Sequence, residues 1–196
     1  MIFVRYFDLS TLGSKILSAS QLSNSRERKV SKYSLLEDRQ RMIAAWLLLE
    51  NSALSLFNIE TKSLELLHLD NGKPYFKGFP FHFNISHSHN VVVVALSEQE
   101  IGVDVEMIDC NKELKERLLS RFTLSGDANE QPTREAFFER WSIYEADYKL
   151  TGSDAIDDKN YVIETKKITD SENNQYFLAV SAYNPAVLDI KIGNIE

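Results

Sequence analysis

The sequence predicts a mixed α/β (α+β) fold made of two similar lobes. Segments with strand patterns alternate with segments that carry apolar residues at helical spacing, and the order of helix and then strands occurs twice along the chain. The midpoint of this repeat lies near Val103. We therefore expect an N-terminal lobe of residues 1–103 and a C-terminal lobe of residues 104–196 in one compact, pseudo-dimeric unit. A chain of 196 residues is long enough for two small lobes that share a core.

The elements of the N-terminal half follow from local patterns. Residues 2–7 are β-rich and predict a strand, while residues 35–51 combine helical spacing with strong helix formers. Asn71-Gly72 is a hairpin signal, and Lys73 is held extended by Pro74. The remaining predictions are strands at "FHFNIS" and "NVVVVALS" around a polar loop at residues 86–90, then a turn at 98–100 and a strand at 101–107.

The C-terminal half repeats this order. Residues 112–122 have a helical pattern and residues 125–133 form a polar, breaker-rich loop. Residues 134–150 predict an amphipathic helix, because large aromatic side chains recur at steps of three and four. Strands are predicted near residues 160–167, 176–183 and 186–193.

Composition excludes several classes of protein. The net charge of −7 argues against a broad nucleic-acid surface. Cys110 is the only cysteine, so the chain has neither an internal disulfide nor a cysteine metal cluster. The N-terminal segment lacks a signal-peptide layout, and the longest apolar run, residues 42–49, is too short to span a bilayer. We expect a cytoplasmic protein that binds no nucleic acid and no membrane.

A basic island stands out in this acidic chain. Between Arg26 and Arg41, basic residues outnumber acidic ones by three. The island is either a site for an anionic ligand or a solvated helix face, and charge alone favours the solvated face.

Two acidic residues interrupt the apolar strand "IGVDVEMI". Asp104 and Glu106 point to the same side, about 7 Å apart along the strand. The pair is either the exposed face of an edge strand or, because the flanking residues are apolar, a buried pair that needs a cation. Oxygen ligands of this kind suit Mg²⁺ bound together with phosphate oxygens.

Two further segments carry candidate groups. In "FFERWSIYEADYKL", Glu145 and Lys149 lie one helical turn apart, which is typical of a surface ion pair but also allows Glu145 to complete a metal site. The segment "FNISHSHN" is either a structural hydrogen-bonding loop or an anion-binding loop.

The series "GKPYF", "FNISHS", "IGVDVE" and "FFERWSIYEADYK" resembles the motifs of the 4′-phosphopantetheinyl transferase family, in the type that activates peptide and polyketide synthetases. The resemblance covers roughly residues 26–150. It implies an Mg²⁺-dependent enzyme that moves the phosphopantetheine arm of coenzyme A to a serine of an apo acyl or peptidyl carrier protein and releases adenosine 3′,5′-bisphosphate. It also implies two lobes related by a pseudo-twofold axis, with the active site between them, and we expect a monomer.

The resemblance assigns roles to individual residues. Asp104, Glu106 and Glu145 match the family's metal ligands, and either Glu106 or a water on the metal is expected to be the base for the incoming serine. Lys149 matches the lysine near the transferred phosphate. The remaining matches bind coenzyme A: Lys73 and Pro74 at the nucleotide end, Ser86 and His87 at phosphate including the 3′-phosphate, and Arg26, Lys29 and Arg41 around the 3′-phosphate and adenine.

One departure leaves alternatives open. The family's helix motif usually reads Trp-x-x-Lys-Glu, whereas Tyr144 stands at the lysine position here. The chain is therefore either an active transferase or a module that binds coenzyme A or a carrier protein with weakened or lost transfer. A metal-dependent phosphohydrolase that uses the same three acids is a third alternative.

Overall fold

The computed structural model describes residues 1–109, 133–152, 161–183, 188–193 and 195, and these form a mixed α+β fold. The helices are α1 (Asn24–Val30), α2 (Leu36–Phe57) and α3 (Arg134–Thr151). The strands are β1 (Ile2–Asp8), β2 (Leu66–His68), β3 (Pro74–Phe76), β4 (His82–Ser88), β5 (Val91–Ser97), β6 (Ile101–Met107), β7 (Tyr161–Thr169), β8 (Gln175–Tyr183) and β9 (Leu188–Ile192).

Most predicted elements are confirmed, and α2 is longer than predicted. The helix continues past residue 51 to Phe57, because Ser52 and Ala53 are buried and keep the helix packed. It ends at Asn58, whose left-handed conformation (φ 56°) forms the cap. The predicted helix at 112–122, Cys110 and loop residues 125–132 lie outside the described residues.

The prediction of a polar loop at residues 86–90 is wrong. β4 runs to Ser88, and only residues 89 and 90 turn the chain into β5. His89 takes a positive φ of 48° at this turn. Polar composition suggested a loop, but the alternating polar side chains of β4 lie on the face that meets β6.

Two sheets form the centre of the fold. The first has the order β4-β5-β1-β9 and the second has the order β6-β8-β7. β9 pairs in parallel with β1, which places Leu188 beside Ile2. A strand from the predicted C-terminal lobe therefore completes the sheet of the predicted N-terminal lobe.

The elements stack in layers in the order α2, first sheet, second sheet, α3. Trp46 and its neighbours on α2 pack against one face of β5, and the other face of β5 packs against Val103 and Val105 of β6. β5 is accordingly buried along its whole length. α3 covers the outer face of the second sheet through a cluster that includes Phe138 and Phe177. Within the ranges given above, no helix is long and apolar enough to cross a membrane.

Candidate active site

A cavity of about 570 Å³ lies where α1, α2 and β4 meet β6 and α3. The structure brings most of the residues predicted for the active site to its wall. These are Lys29, Pro74, Ser86, His87, Asp104, Glu106, Glu145 and Lys149. Tyr33, Met42, Trp46, Ile85 and Trp141 supply an apolar and aromatic part of the lining.

Gly102 allows the two acidic elements to approach each other. A Cβ atom at this position of β6 would overlap the carbonyl oxygen of Ala146 and lie 2.8 Å from the amide nitrogen of Leu150. The backbone of α3 therefore lies directly on β6 at Gly102. This contact brings Glu145 and Lys149 of α3 to the cavity that Asp104 and Glu106 of β6 also line.

Lys149 supplies the positive charge that Asp104 needs. Its Nζ donates to Asp104 Oδ1 at 2.7 Å, to Ser86 Oγ at 3.0 Å and to the carbonyl oxygen of Val103 at 3.2 Å. Asp104 is only 6% exposed, so this charge-assisted bond offsets much of the cost of burying the carboxylate.

Polar side chains of β4 connect it to β6. Asn84 Oδ1 accepts a hydrogen bond from the backbone N–H of Val103 at 2.9 Å. Ser86 Oγ accepts one from Val105 N–H at 3.3 Å, and Ser88 Oγ accepts one from Met107 N–H at 3.1 Å. Asn84 and Ser88 were missed by the motif comparison. The alternation in "FNISHS", which sets residues 84, 86 and 88 on one face of a strand, is the signal that could have found them.

The three predicted metal ligands are the oxygen donors that Mg²⁺ prefers, and all three line the cavity. Asp104, Glu106 and Glu145 offer carboxylate oxygens to one cavity that also contains a lysine, as a site shared by a metal and a phosphate requires. Among the residues that the structure describes, no three His, Cys, Asp or Glu side chains are already arranged as a metal site. Asp104 Oδ1 is bonded to Lys149 Nζ in this structure.

The surroundings of His87 favour its neutral form. Burial lowers the pKa of His87, and the positive charges of Arg41 and Lys149 lower it further, while Asp38 opposes them. Arg41 itself donates to Asp38 Oδ1 at 2.8 Å and to the carbonyl oxygen of His89 at 3.1 Å. Arg41 therefore acts on the cavity through its charge near His87 rather than by lining the wall.

Arg26 does not reach the cavity, contrary to its predicted role as a coenzyme A contact. Its side chain is fully buried, pairs with Glu50 and donates to the carbonyl oxygen of Thr61 at 2.6 Å. The guanidinium carbon also lies 5.2 Å from the ring centroid of Trp46 and 4.8 Å from that of Phe76. Charge counting could not distinguish this inward-facing arginine from a solvent-facing one.

Lys73 lies in an adjoining cavity of about 250 Å³. Its Nζ bonds to Glu100 Oε2 at 2.5 Å and to the carbonyl oxygen of Ile101 at 2.9 Å. Pro74 and Lys149 line both this cavity and the larger one. Lys73 is thus close to the candidate site, with its charge already paired.

Comparison with known proteins agrees with these motifs. A family model described as 4′-phosphopantetheinyl transferase, N-terminal, matches residues 13–100. The 4′-phosphopantetheinyl transferase gsp of Aneurinibacillus migulanus is 29% identical over 142 residues, which cover 68% of this chain and 57% of the relative. The 4′-phosphopantetheinyl transferase psf-1 of Bacillus pumilus is 30% identical over 137 residues (67% and 58%), and 4′-phosphopantetheinyl transferase Sfp of Bacillus subtilis (strain 168) is 27% identical over 139 residues (68% and 61%). The matched part of this chain thus spans 57% to 61% of the length of these relatives.

Proposed function

Because this chain belongs to the 4′-phosphopantetheinyl transferase family, we propose that it transfers the 4′-phosphopantetheine arm of coenzyme A to a serine of an apo acyl or peptidyl carrier protein. The other product is adenosine 3′,5′-bisphosphate. The observation that carries the proposal is the shared cavity, in which carboxylates from β6 and α3 stand beside Lys149. Such a site suits phosphoryl transfer, which needs charge stabilisation and positioning more than covalent help.

The proposed chemical step gives each charged group a role. The serine oxygen attacks the β-phosphorus of coenzyme A, and the bond from that phosphorus to the bridging oxygen breaks. Glu106 takes the serine proton, and Lys149 binds a pyrophosphate oxygen after it leaves Asp104. An Mg²⁺ ion held by Asp104, Glu106 and Glu145 would neutralise charge on the phosphates.

The remaining cavity residues bind the nucleotide part of coenzyme A. Lys29 and His87 receive the 3′-phosphate, with Arg41 adding positive charge nearby. Ser86 lines the same cavity, but its hydroxyl group donates to Asp104. Pro74 and Lys73 lie at the nucleotide end, in the adjoining cavity. Arg26 has no part in the proposal, because its charge is used inside the core.

The proposed architecture has two lobes related by a pseudo-twofold axis, with the active site between them. The packing of α2 on the first sheet and of α3 on the second sheet supports this arrangement. We keep the boundary at residues 103 and 104, inside β6, with β9 linking the two lobes. We further propose that the protein acts as a monomer in the cytoplasm.

Mass spectrometry of an apo carrier protein incubated with coenzyme A and Mg²⁺ tests the activity. We expect the carrier to gain one phosphopantetheine arm, and Asp104→Ala to abolish the gain. Glu65→Ala is the matched control, because Glu65 is an exposed acid that pairs with Lys77 away from the cavity. Absence of any gain across several carrier proteins would contradict the proposal.

A binding module without transfer is the second candidate. Two observations favour it: Tyr144 stands where the family places a lysine, and Lys149 already occupies Asp104. Calorimetry that detects tight coenzyme A binding by a protein without turnover supports this candidate. Activity gained by Tyr144→Lys would identify the missing cation as the cause.

A further inference from the structure

β4 and β6 face each other as edge strands of different sheets. Asn84, Ser86 and Ser88 accept hydrogen bonds from the backbone N–H groups of alternate β6 residues. In a continuous sheet, backbone carbonyl oxygens of the neighbouring strand would accept these bonds. This side-chain ladder joins the two sheets, and Ser86 in its middle lines the cavity. Because Ser86 and Ser88 accept hydrogen bonds in this ladder, their own hydroxyl protons remain to be donated to other groups.

A hydroxyl that accepts a backbone N–H still has its own proton to donate. Ser86 donates to Asp104 Oδ1 at 2.7 Å, and Ser88 donates to Glu106 Oε2 at 3.2 Å. Each serine therefore connects a β6 amide to the carboxylate of the preceding β6 residue. Asp104 is held in addition by Lys149, and Ser88 gives Glu106 the same serine contact that Ser86 gives Asp104.

We propose that Ser88 is a positioning residue that holds the Glu106 carboxylate ready for the metal ion and the incoming serine. This inference rests on the proposed function, since it assumes that Glu106 binds Mg²⁺. A glutamate side chain has several rotatable bonds, and ordering it costs conformational entropy. A hydrogen bond from Ser88 orders the Glu106 side chain before the metal binds. Side chains that hydrogen-bond to metal ligands commonly have this role.

The test measures Mn²⁺ binding to the full chain with coenzyme A by electron paramagnetic resonance. We expect Ser88→Ala to weaken Mn²⁺ binding by about tenfold. At saturating Mg²⁺ the KM for coenzyme A should stay unchanged, because Ser88 does not line the cavity wall that receives the nucleotide. Ser88→Thr keeps the hydroxyl and should restore Mn²⁺ binding.

Ser97→Ala is the matched control. Ser97 is a buried strand residue whose Oγ also accepts a backbone N–H, from Gln99 at 3.2 Å. Its loss should lower thermal stability to a similar extent as loss of Ser88 but leave Mn²⁺ binding intact. If Ser88→Ala does not fold, Ser88→Cys keeps the shape with a weak donor and should still bind Mn²⁺ more weakly than the wild type.

The outcomes separate this inference from the proposed function. The role of Ser88 alone is overturned if Ser88→Ala (or Ser88→Cys, where Ser88→Ala does not fold) binds Mn²⁺ as tightly as the wild type while the unaltered chain modifies a carrier. Equal loss of Mn²⁺ binding in Ser97→Ala also overturns it, since the effect is then one of general stability. Failure of the unaltered chain to modify any carrier overturns the proposed function and this inference with it.

Discussion

At Asp104, the proposed Mg²⁺ would share a carboxylate with a lysine. Lys149 occupies Oδ1 in this structure, and the proposed Mg²⁺ needs the same carboxylate. The two cannot both bind there at full strength, because like charges at this spacing repel. Binding of a pyrophosphate group would draw Lys149 away and open Asp104, so coenzyme A and the metal should favour each other's binding.

Replacement of Lys149 by glutamine tests this competition. We expect Lys149→Gln to raise the Mn²⁺ affinity of the protein without coenzyme A by roughly tenfold, because the neighbouring charge is gone. Coenzyme A should bind about tenfold more weakly, because a charge-assisted bond to phosphate is lost. Titration of Mn²⁺ by electron paramagnetic resonance, and of coenzyme A by calorimetry, measures both.

The control for Lys149 is Lys167→Gln. Lys167 of β7 pairs with Glu135, which lies on α3 as Lys149 does. This pair is on an exposed surface outside the cavity. Neither affinity should change in this variant. An Mn²⁺ affinity in Lys149→Gln equal to that of the unaltered protein would rule out competition at Asp104.

His87 should couple phosphate binding to proton uptake. The pKa of His87 lies below its ordinary value of 6.5 because of burial and the charges of Arg41 and Lys149. An anionic phosphate beside the ring favours the protonated form and raises this pKa. Protons are then taken up on binding, so the affinity rises as the pH falls towards the lowered pKa of His87 in the free protein.

Calorimetry of adenosine 3′,5′-bisphosphate binding in two buffers of different ionisation enthalpy measures the uptake. His87→Gln should bind without pH-dependent proton uptake and serves as the comparison. Identical binding enthalpies in both buffers for the unaltered protein, near pH 6.5, would contradict the coupling.

At the scale of elements, the contact between α3 and β6 sets the geometry of the candidate site. The helix carries Glu145 and Lys149, the strand carries Asp104 and Glu106, and Gly102 lets their backbones touch. A second contact fixes the same helix, since Ser181 of β8 donates to the buried Asp147 of α3. Any added volume between helix and sheet therefore moves two site residues at once.

Gly102→Ala should disrupt both stability and activity. The added methyl group overlaps backbone atoms that cannot rotate away, so we expect a loss of about 3 kcal/mol in the free energy of unfolding. Transfer activity should fall because α3 is displaced. Urea unfolding and the carrier assay measure the two effects.

Gly78→Ala is the control for this glycine. Its φ of 76° strains an alanine by about 1 kcal/mol, but beyond its chain neighbours no atom in the described part of the chain lies within 4 Å of the added carbon. We expect a smaller loss of stability and full activity. A Gly102→Ala protein as stable as the unaltered chain would contradict the packing argument.

Patterns in the sequence predicted the elements better than their ends. The spacing of aromatic residues located α3 closely, because a long amphipathic helix leaves a strong periodic signal. The sequence pattern placed the end of β4 too early, because the polar residues Ser86 and Ser88 suggest a loop. Their hydrogen bonds to β6 explain why polar residues belong in this strand. Such partners depend on tertiary structure, which local patterns do not contain.

The motif resemblance located the candidate site but not the partners of its residues. Eight predicted residues line one cavity, although they come from α1, β3, β4, β6 and α3. The prediction of Arg26 as a coenzyme A contact fails, because the burial of Arg26 beside Glu50 depends on the fold around it. The contact between Lys149 and Asp104 links residues 45 positions apart and leaves no local signal.

At the scale of the whole molecule, Asp170 ties two turns together. It accepts hydrogen bonds from Asn174 and Tyr176 within the β7–β8 hairpin and from Asn90 Nδ2 in the β4–β5 turn at 3.2 Å. Burial alone would raise the pKa of Asp170, but these hydrogen bonds outweigh it and hold the pKa below 3.8. The first and second sheets are thus joined through one ionised carboxylate.

Asp170→Asn should destabilise the protein in a pH-dependent way. Because the folded-state pKa is lowered, the carboxylate stabilises the fold above its ordinary pKa, and this stabilisation is lost as the pH falls through the folded-state value. We expect a loss of about 2 kcal/mol at pH 7 that shrinks below about pH 4. Chemical unfolding at several pH values measures it.

Glu172→Gln is the comparison for Asp170. Glu172 also accepts from Asn90 Nδ2, at 3.0 Å, but it is exposed, so its loss should cost less than about 0.5 kcal/mol. An Asp170→Asn protein whose stability deficit stays constant between pH 7 and pH 3 would contradict the role given to the charge.

The parallel pairing of β1 with β9 has a consequence for biosynthesis. Arg5 on β1 donates to the backbone and side chain of Asp189 on β9, across 184 positions of sequence. A nascent chain that has emerged from the ribosome only as far as β6 lacks the last strand of its first sheet. The edge of β1 stays unpaired until β9 has been synthesised. The N-terminal half should therefore reach its final form only late in synthesis, or with a chaperone that shields the edge.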